Sequence, residues 1–338
     1  MGIPATEGAT KKAPSVPPAG SSAQDFDSLD ITVLMGGPSS EHDVSLLSGG
    51  AIADALESLG HRVTRSDIGP KDVSAIDRPG IDLVFIALHG WFGESGHVQE
   101  LCERRGLRYV GSNPLASRIA MDKHLSKQAF RKAGLLTPDW AIVRTDSDSS
   151  TSMRLARSLP LPVVVKPVDG GSSVDVTIAH DEVVRDKAIE SLLEQYASAM
   201  VERFIKGREM TVSLLGDEAL PLIEVIPGRE FYDYTAKYAD GAGTRYSFKH
   251  GLDAVKEGCL LDLALQAHRR IGCDDMSRVD FILDDAGKAW LLEINTIPGF
   301  TSHSLLPMAG AKVGLDFSGL VDRIVRLAMR RQARLLRI

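Results

Sequence analysis

Two carboxylates, an amide and a guanidinium cluster in two short segments, Arg278-Val279-Asp280 and Leu291-Leu292-Glu293-Ile294-Asn295. Side chains alternate across a strand, so Arg278 and Asp280 are expected on one face, with Val279, Phe281 and Leu283 on the other. In the second segment Leu291, Glu293 and Asn295 are expected to share a face. Paired as adjacent antiparallel strands, the segments present Asp280, Glu293 and Asn295 together. Such hard oxygen donors suit Mg²⁺, which takes few protein ligands and several phosphate oxygens. The same pattern also serves as the solvated face of a half-buried strand pair, and the residues alone leave both readings open. Next comes Asn295-Thr296-Ile297-Pro298-Gly299, then hydroxyls from Thr301 to Ser304. Pro-Gly bends the chain, and the Gly299 N–H can face a developing oxyanion.

Two lysines offer a second chemistry. Lys123 follows Met121-Asp122, and Lys166 ends the apolar run Val163-Val164-Val165. Both are point charges suited to phosphate oxygens, although lone lysines are more often solvated surface groups. After Pro167 the small-residue loop Val168–Ser173 follows. Its backbone N–H groups, from Gly170 to Val174, can close over phosphates as a nest. Neither a G-x-x-x-x-G-K-[ST] loop nor a G-x-G-x-x-G loop occurs, so bound phosphates need this other cradle.

The elements that must position these groups are legible in outline. Ile31–Met35 reads as a strand ending at Gly36-Gly37. A helix follows on the spacing of Val44, Leu47, Ile52, Ala55, Leu56 and Leu59, with Gly60 as its stop. His61–Val63 opens a second strand, and Asp82–Leu88 is a third, apolar enough for burial on both faces. It runs into the loop His89–Gly96. Alternating strands and helices make this an open α/β unit, whose ligands bind at loops after strand C-termini, here Gly36–Glu41 and His89–Gly96. Ala116–Gly134 reads as helices, Thr145–Thr151 as a polar loop, and Pro162–Val165 and the β-prone Val174–Ile178 as strands. Further on, Met210–Leu215 and Leu220–Ile226 read as strands, Gly228–Gly251 as a polar loop and Ala254–Ile271 as a long helix. Arg278–Leu283 and Ala289–Asn295 form the strand pair, and Gly319 to about Arg331 an amphipathic final helix. The expected division is a disordered tail over 1–28, an α/β domain over 29–113, a central unit over 114–201 and a C-terminal unit over 202–338.

Composition bounds the partners. The 338 residues carry a formal net charge of −6, with 43% hydrophobic and 25% charged residues. That is ordinary for a globular protein, and the acidic balance argues against nucleic acid or an anionic membrane as the main target. No apolar run approaches the roughly 18 residues that would suggest a membrane span. Cys102, Cys259 and Cys273 are scattered and odd in number, which favours a reducing, cytoplasmic setting over a disulfide framework or zinc site.

Read with Arg278–Asp280, the run Leu291–Gly299 resembles the metal and oxyanion segment of the ATP-grasp ligases, in particular the D-alanine–D-alanine ligase family. Gly36–Leu46 resembles that family's first motif, and Leu88-His89-Gly90 with Gly93–Gly96 its second. Met121–Lys123 and Val165–Pro167 are similar to its two phosphate-lysine segments, Gly171–Val174 to its glycine-rich loop, Glu202–Glu209 to its nucleotide edge, and Tyr232–Tyr238 to its mobile loop. The likeness runs in order from Ile31 to Leu327.

The resemblance implies an α/β fold with α+β elements, the ATP-grasp fold of three subdomains, joining two D-alanines through an acyl phosphate for peptidoglycan synthesis. It implies ATP as substrate and two Mg²⁺, with Mn²⁺ as a substitute, on Asp280, Glu293 and Asn295. Lys123, Lys166, Ser173, Glu202, Phe204, Ile205, Glu209 and Lys237 are the implied ATP contacts. Glu41 is implied to anchor the first D-alanine, with His89 nearby, and Ser304 and Leu305 to bind the second. Ser172 and Tyr238 are implied to link with Glu41 and close the site. Arg278 and the Gly299 N–H are implied for the oxyanion, with Arg278 assigned there rather than to a salt bridge with Asp280. A homodimer is also implied. Other carboxylate–amine ligases of this superfamily, such as one making D-alanyl-D-serine, and a non-catalytic nucleotide-binding relative remain alternatives. Asp175 stands where the family loop has glycine, so its carboxylate must point away from bound phosphates.

Overall fold

The computed structural model describes residues 28–145, 149–171, 174–228, 243–301 and 304–331. The tail expected over 1–28 therefore lies, but for its last residue, outside the described residues. Among these residues no helix is long and apolar enough to cross a membrane.

The chain opens with β1 (Asp30–Met35), α1 (His42–Ser58), β2 (Arg62–Asp67), β3 (Leu83–Ile86), α2 (Trp91–Glu94) and α3 (His97–Arg104). The strands form a parallel sheet in the order β2-β1-β3. All four residues of β3 are buried, as its unbroken apolar run requires. Gly49 lets α1 lie directly on β1, because a Cβ there would sit 2.5 Å from the Met35 Cβ. The buried face of α1 carries Ser45, Ser48, Ile52, Ala53 and Leu56. Leu47, expected on the apolar stripe, is 67% exposed and lines the cleft described below. Small hydroxyl residues take the inner face near the helix start, where it meets loop backbone, so the stripe rotates away from Leu47.

Next come α4 (Pro114–Met121) and α5 (Lys123–Lys132), capped by Asn113 and Asp122, whose side chains accept from the Ala116 and Leu125 N–H groups. Then follow β4 (Trp140–Arg144), α6 (Ser149–Ser158), β5 (Val163–Pro167), β6 (Thr177–Ala179), α7 (Glu182–Gln195) and β7 (Ser198–Arg203). They build an antiparallel sheet in the order β4-β7-β5-β6. Helix α6 starts inside the segment read as a polar loop. The strand expected over Val174–Ile178 is shorter, since Val174-Asp175 is a turn with Asp175 at φ +55°. Strand β7 runs through Glu202, which is in register with Val164 and Trp140.

The last part holds β8 (Gly207–Leu215), β9 (Glu218–Ala219), β10 (Ile223–Ile226), β11 (Arg245–Ser247), α8 (Ala254–Ile271), β12 (Met276–Asp284), β13 (Ala289–Asn295), α9 (Leu305–Lys312) and α10 (Phe317–Arg330). Its sheet runs β11-β10-β8-β12-β13, with β9 paired to β8. One core joins the ends of the chain: Ile31 and Ile52 pack in the same cluster as Phe300, Leu306, Leu320 and Ile324. A second core lies under the last sheet, where α8 covers Val212, Val279, Phe281 and Leu291.

Candidate active site

The residues expected to hold the metal sit on β12 and β13. The pair is antiparallel, with Arg278 opposite Asn295 and Asp280 opposite Glu293. The register shifts after Asp280, so that Phe281 faces Leu291. This bulge makes Leu292 the extra residue. It corrects the expected face of Leu291, which is fully buried in the core beneath, while Leu292 and Glu293 both line a cavity. Arg278, Asp280, Glu293 and Asn295 do end on one face. Thr211 on β8 donates to Asp280 Oδ1 at 2.6 Å. Arg278, expected not to pair with Asp280, does so: Nε is 3.0 Å from Oδ1 and the guanidinium nitrogen NH2 is 2.7 Å from Oδ2. The same alternation that puts both on one face places them two residues apart, within reach of a forked ion pair. The Asn295 side-chain oxygen accepts from the Ile297 N–H at 2.8 Å, which fixes the turn toward Pro298-Gly299. Among the described residues there is no group of three or more His, Cys, Asp or Glu able to enclose a metal. Two carboxylates and an amide match an ion that completes its shell with phosphate oxygens and water.

A cavity of about 120 Å³ lies between the central sheet and the last one. Val164, Pro167, Val176, Phe204, Ile205, Ile282 and Leu292 give it apolar walls, and Lys123, Lys166, Arg203, Glu202, Glu209, Asp280 and Glu293 its charges. Glu202 is 2% exposed. Lys166 Nζ is 2.9 Å from its Oε1, and Lys127 Nζ 2.5 Å from its Oε2. Burial pushes the Glu202 carboxyl up, but the two ammonium groups together outweigh it and hold it below the usual range. Burial drives Lys127 down to about 8, against the pull of Glu202. Lys123 sits at the start of α5, its Nζ donating to the Gly170 carbonyl and lying 3.5 Å from Glu293 Oε2.

A wider cleft of about 580 Å³ opens on the other side of Lys123, Gly170, Gly171 and Glu293, which line both spaces. Its wall includes Glu41, His89, Glu94, Arg278, Asn295, Gly299, Ser304 and Leu305. Glu41 is at the N-terminus of α1, and a Cβ added to Gly171 would sit 3.5 Å from its Oε2. His89 is 6% exposed, with Nε2 3.3 Å from Ser48 Oγ and Nδ1 3.5 Å from Glu94 Oε1. Ser48 Oγ also accepts from the Phe300 N–H at 3.3 Å, tying α1 to the segment after Gly299. Glu94 is pushed up by burial and by the neighbouring Glu41, against the His89 hydrogen bond. Ser304 Oγ accepts from the Thr301 N–H at 2.9 Å, and a Cβ on Gly299 would lie 2.7 Å from that oxygen. Only glycine fits there without displacing Ser304.

The D-ala D-ala ligase C-terminus family model matches residues 129–326. A D-alanine–D-alanine ligase from Gloeobacter violaceus is 44% identical over 299 residues, which are 88% of this chain and 98% of that protein. The chain belongs to the D-alanine–D-alanine ligase family. Solved structures agree. The Bacillus anthracis D-alanine–D-alanine ligase complexed with ATP superposes with a TM-score of 0.77 at 32% identity, over 90% of this chain and 98% of that one. The VanG D-Ala:D-Ser ligase from Enterococcus faecalis gives 0.79 at 27% identity, over 89% of this chain and all of that one. The ATP-grasp expectation and the mixed α/β class hold: one parallel sheet precedes two antiparallel sheets that face each other across the smaller cavity.

Of the residues singled out in the ligase-family motifs, Glu41, His89, Arg278, Gly299, Ser304 and Leu305 converge on the wide cleft. Lys166, Glu202, Phe204, Ile205, Glu209 and Asp280 converge on the small cavity, Asn295 lies on the cleft side, and Lys123 and Glu293 join the two. Ser172, Ser173, Lys237 and Tyr238 lie outside the described residues. Three contributors carried no role in the sequence reading: Lys127, Thr211 and Glu94. Lys127 stands one helical turn after Lys123, and that i, i+4 spacing is the signal that could have found it. Asp175, the acidic departure in the glycine-rich loop, accepts from the Tyr196 hydroxyl at 2.7 Å, while its neighbours Val174 and Val176 line the cavity. Its positive φ is a conformation that favours glycine, the residue the resemblance implies at this place.

Proposed function

We propose that this chain uses ATP to join two D-alanines into D-alanyl-D-alanine for peptidoglycan precursors. The observation that carries this reading is the meeting of an apolar-walled cavity that holds Lys123 and Lys166 with a wider cleft that holds Glu41, Arg278 and Ser304, at Lys123 and Glu293. A phosphoryl group held at that junction is within reach of a carboxylate in the cleft. The γ-phosphate passes to a carboxylate oxygen of the first D-alanine, breaking its bond to ADP. The amine of the second D-alanine then attacks the acyl phosphate carbon, and phosphate leaves from the tetrahedral intermediate. No enzyme nucleophile is needed; positioning and charge stabilisation carry the reaction.

Phe204, Ile205 and Glu209 are proposed to seat the nucleoside, and Lys123 and Lys166 the phosphates, with Glu202 fixing Lys166. Glu41 is proposed to hold the first ammonium, at a helix start that also favours its own negative charge. Ser304 and the N-terminal turn of α9 at Leu305 are proposed for the second carboxylate. Gly299 N–H and Arg278, the latter steadied by Asp280, are proposed for the oxyanion. Asp280, Glu293 and Asn295 fit Mg²⁺, and Mn²⁺ shares their preference for oxygen donors. Bound there, the ion neutralises phosphate charge. Ser172, Ser173, Lys237 and Tyr238 enter this proposal from the family motifs alone. So do a homodimer, a cytoplasmic location and the division at residues 113 and 201.

The test is phosphate release with ATP, Mg²⁺ and a panel of D-amino acids. Release that depends on D-alanine, with the dipeptide as product, is expected; none with D-alanine sinks the reading. D-serine belongs in the panel because the chain is also similar to a D-Ala:D-Ser ligase, and a pocket rejects one added hydroxyl only weakly. A nucleotide binder without turnover is not favoured, because Asp175 is engaged by Tyr196 instead of lining the cavity.

A further inference from the structure

Lys127 is fully buried on α5 and does not line the small cavity, but it pairs with Glu202, which does. Glu202 is held from two sides, by Lys127 on Oε2 and by Lys166 on Oε1. Lys127 Nζ also donates to Thr137 Oγ1 at 2.6 Å, and Thr137 donates to the Leu291 carbonyl at 2.8 Å, two residues before Glu293. The Trp140 ring lies 5.2 Å from the same ammonium. A fully buried lysine is costly unless its charge is used. A Glu202–Lys166 pair alone would be neutral and would present little field to an anion in the cavity. Two ammonium groups against one carboxylate leave a net positive charge on the trio, and Glu202 and Lys166 both line the cavity, beside Lys123.

We infer that Lys127 is a positioning residue for nucleotide binding, taking up half of the Glu202 carboxylate so that Lys166 keeps positive charge for the phosphates. The inference rests on the ligase reading for its substrate, but its electrostatics need only ATP. Burial depresses the Lys127 ammonium to about 8, in keeping with a charge held in place against its own desolvation.

The test uses the full chain with Lys127→Met, which keeps the stem and removes the charge. The KM for ATP should rise about tenfold or more while the KM for D-alanine stays within about twofold, since a charge-assisted contact to phosphate is weakened. The decisive variant is Lys127→Arg, which keeps the positive charge against Glu202 and should hold the KM for ATP within about threefold of the starting protein. A purely structural Lys127, needed for the shape of its stem, predicts the reverse order, with Met the milder change. An unchanged KM in Lys127→Met, or a KM raised about tenfold in Lys127→Arg, overturns the inference. If Lys127→Met does not fold, Lys127→Gln takes its place with the same expected outcome. Calorimetric titration with ATP and Mg²⁺ reads the same differences without turnover. Loss of D-alanine-dependent phosphate release in the unmodified protein would therefore strike the ligase reading and leave Lys127 still testable.

Discussion

Glu94 and Glu202 are the same residue type, each withdrawn from water at the wall of one of two adjoining spaces, and they are displaced in opposite directions. Glu94, in the wide cleft, is pushed up by burial and by Glu41. Glu202, in the small cavity, is held down because Lys127 and Lys166 outweigh the same burial effect. Desolvation has one sign for both carboxyls, so the difference lies in the charge each region supplies. The small cavity sets two ammonium groups, Lys127 and Lys166, on the carboxylate of Glu202 and holds Lys123 nearby, which suits the phosphates of a nucleotide. The cleft gathers Glu41 and Glu94 near one another, which suits an ammonium group. Ammonium groups around Glu202 in one space and the carboxylates Glu41 and Glu94 in the other let one site hold a polyanion and an amino group within reach of each other, with Lys123 and Glu293 at the seam.

The harshest way to break this comparison is to remove the seam. Glu293→Ala should lower kcat by about 10³ or more, the scale on which charge stabilisation of a transferring group is lost. Phosphate release measures it, and turnover close to that of the unmodified protein would falsify the metal assignment. Binding of D-alanine in the cleft should change far less, because Glu41 and Ser304 stay in place.

Neutralising each buried carboxylate sharpens the contrast through stability. Glu202→Gln leaves two buried ammonium groups facing each other and should cost about 3 kcal/mol at neutral pH. The depressed folded-state value of Glu202 means that its stabilisation is present above the unfolded value of 4.5 and is lost as pH falls through the folded value. The gap between the unmodified and variant unfolding midpoints should therefore widen as pH rises from acid to neutral. Glu94→Gln should show the opposite trend. A raised folded-state value gives stabilisation that is complete below 4.5 and lost as pH rises through the folded value. Relative to the unmodified protein, this variant should gain as pH rises and lie within about 1 kcal/mol of it near neutrality. Midpoints from about pH 4 to pH 8 would decide it, and parallel curves for the two variants would refute the idea that local cations set the difference.

The sequence carried one side of this contrast better than the other. Strand alternation located the carboxylates of β12 and β13, because a two-residue period survives in any strand. It missed the bulge at Leu292, since an inserted residue leaves no mark in a hydrophobic pattern that reads Leu-Leu either way. It also kept Arg278 away from Asp280, although residues sharing a face two apart are neighbours by construction. The helix at Ile52 and Leu56 was legible from its period, but Leu47 was put on the wrong face, because its turn of α1 packs Ser45 and Ser48 inward. Lys127 was passed over because burial of a lysine depends on Glu202, which is distant in sequence and reaches α5 only when the central sheet forms.

The mildest expected effect lies at Asp175, in the loop between the two spaces, and it separates backbone from charge. Asp175 holds a left-handed conformation at φ +55° and accepts from the Tyr196 hydroxyl, which is pushed up to about 12 chiefly by that hydrogen bond. Asp175→Gly removes a conformational cost of about 1 kcal/mol and also a hydrogen bond worth about the same. The two nearly cancel, so stability should stay within about 0.5 kcal/mol. Asp175→Ala keeps the cost and loses the bond, so it should destabilise by about 1 kcal/mol. If the carboxylate is turned from the phosphates, as its bond to Tyr196 implies, the KM for ATP should move less than about twofold in either variant. A KM lowered about tenfold by both would show that Asp175 opposes the nucleotide after all, and the charge balance of the small cavity would then have to be reckoned with that carboxylate included.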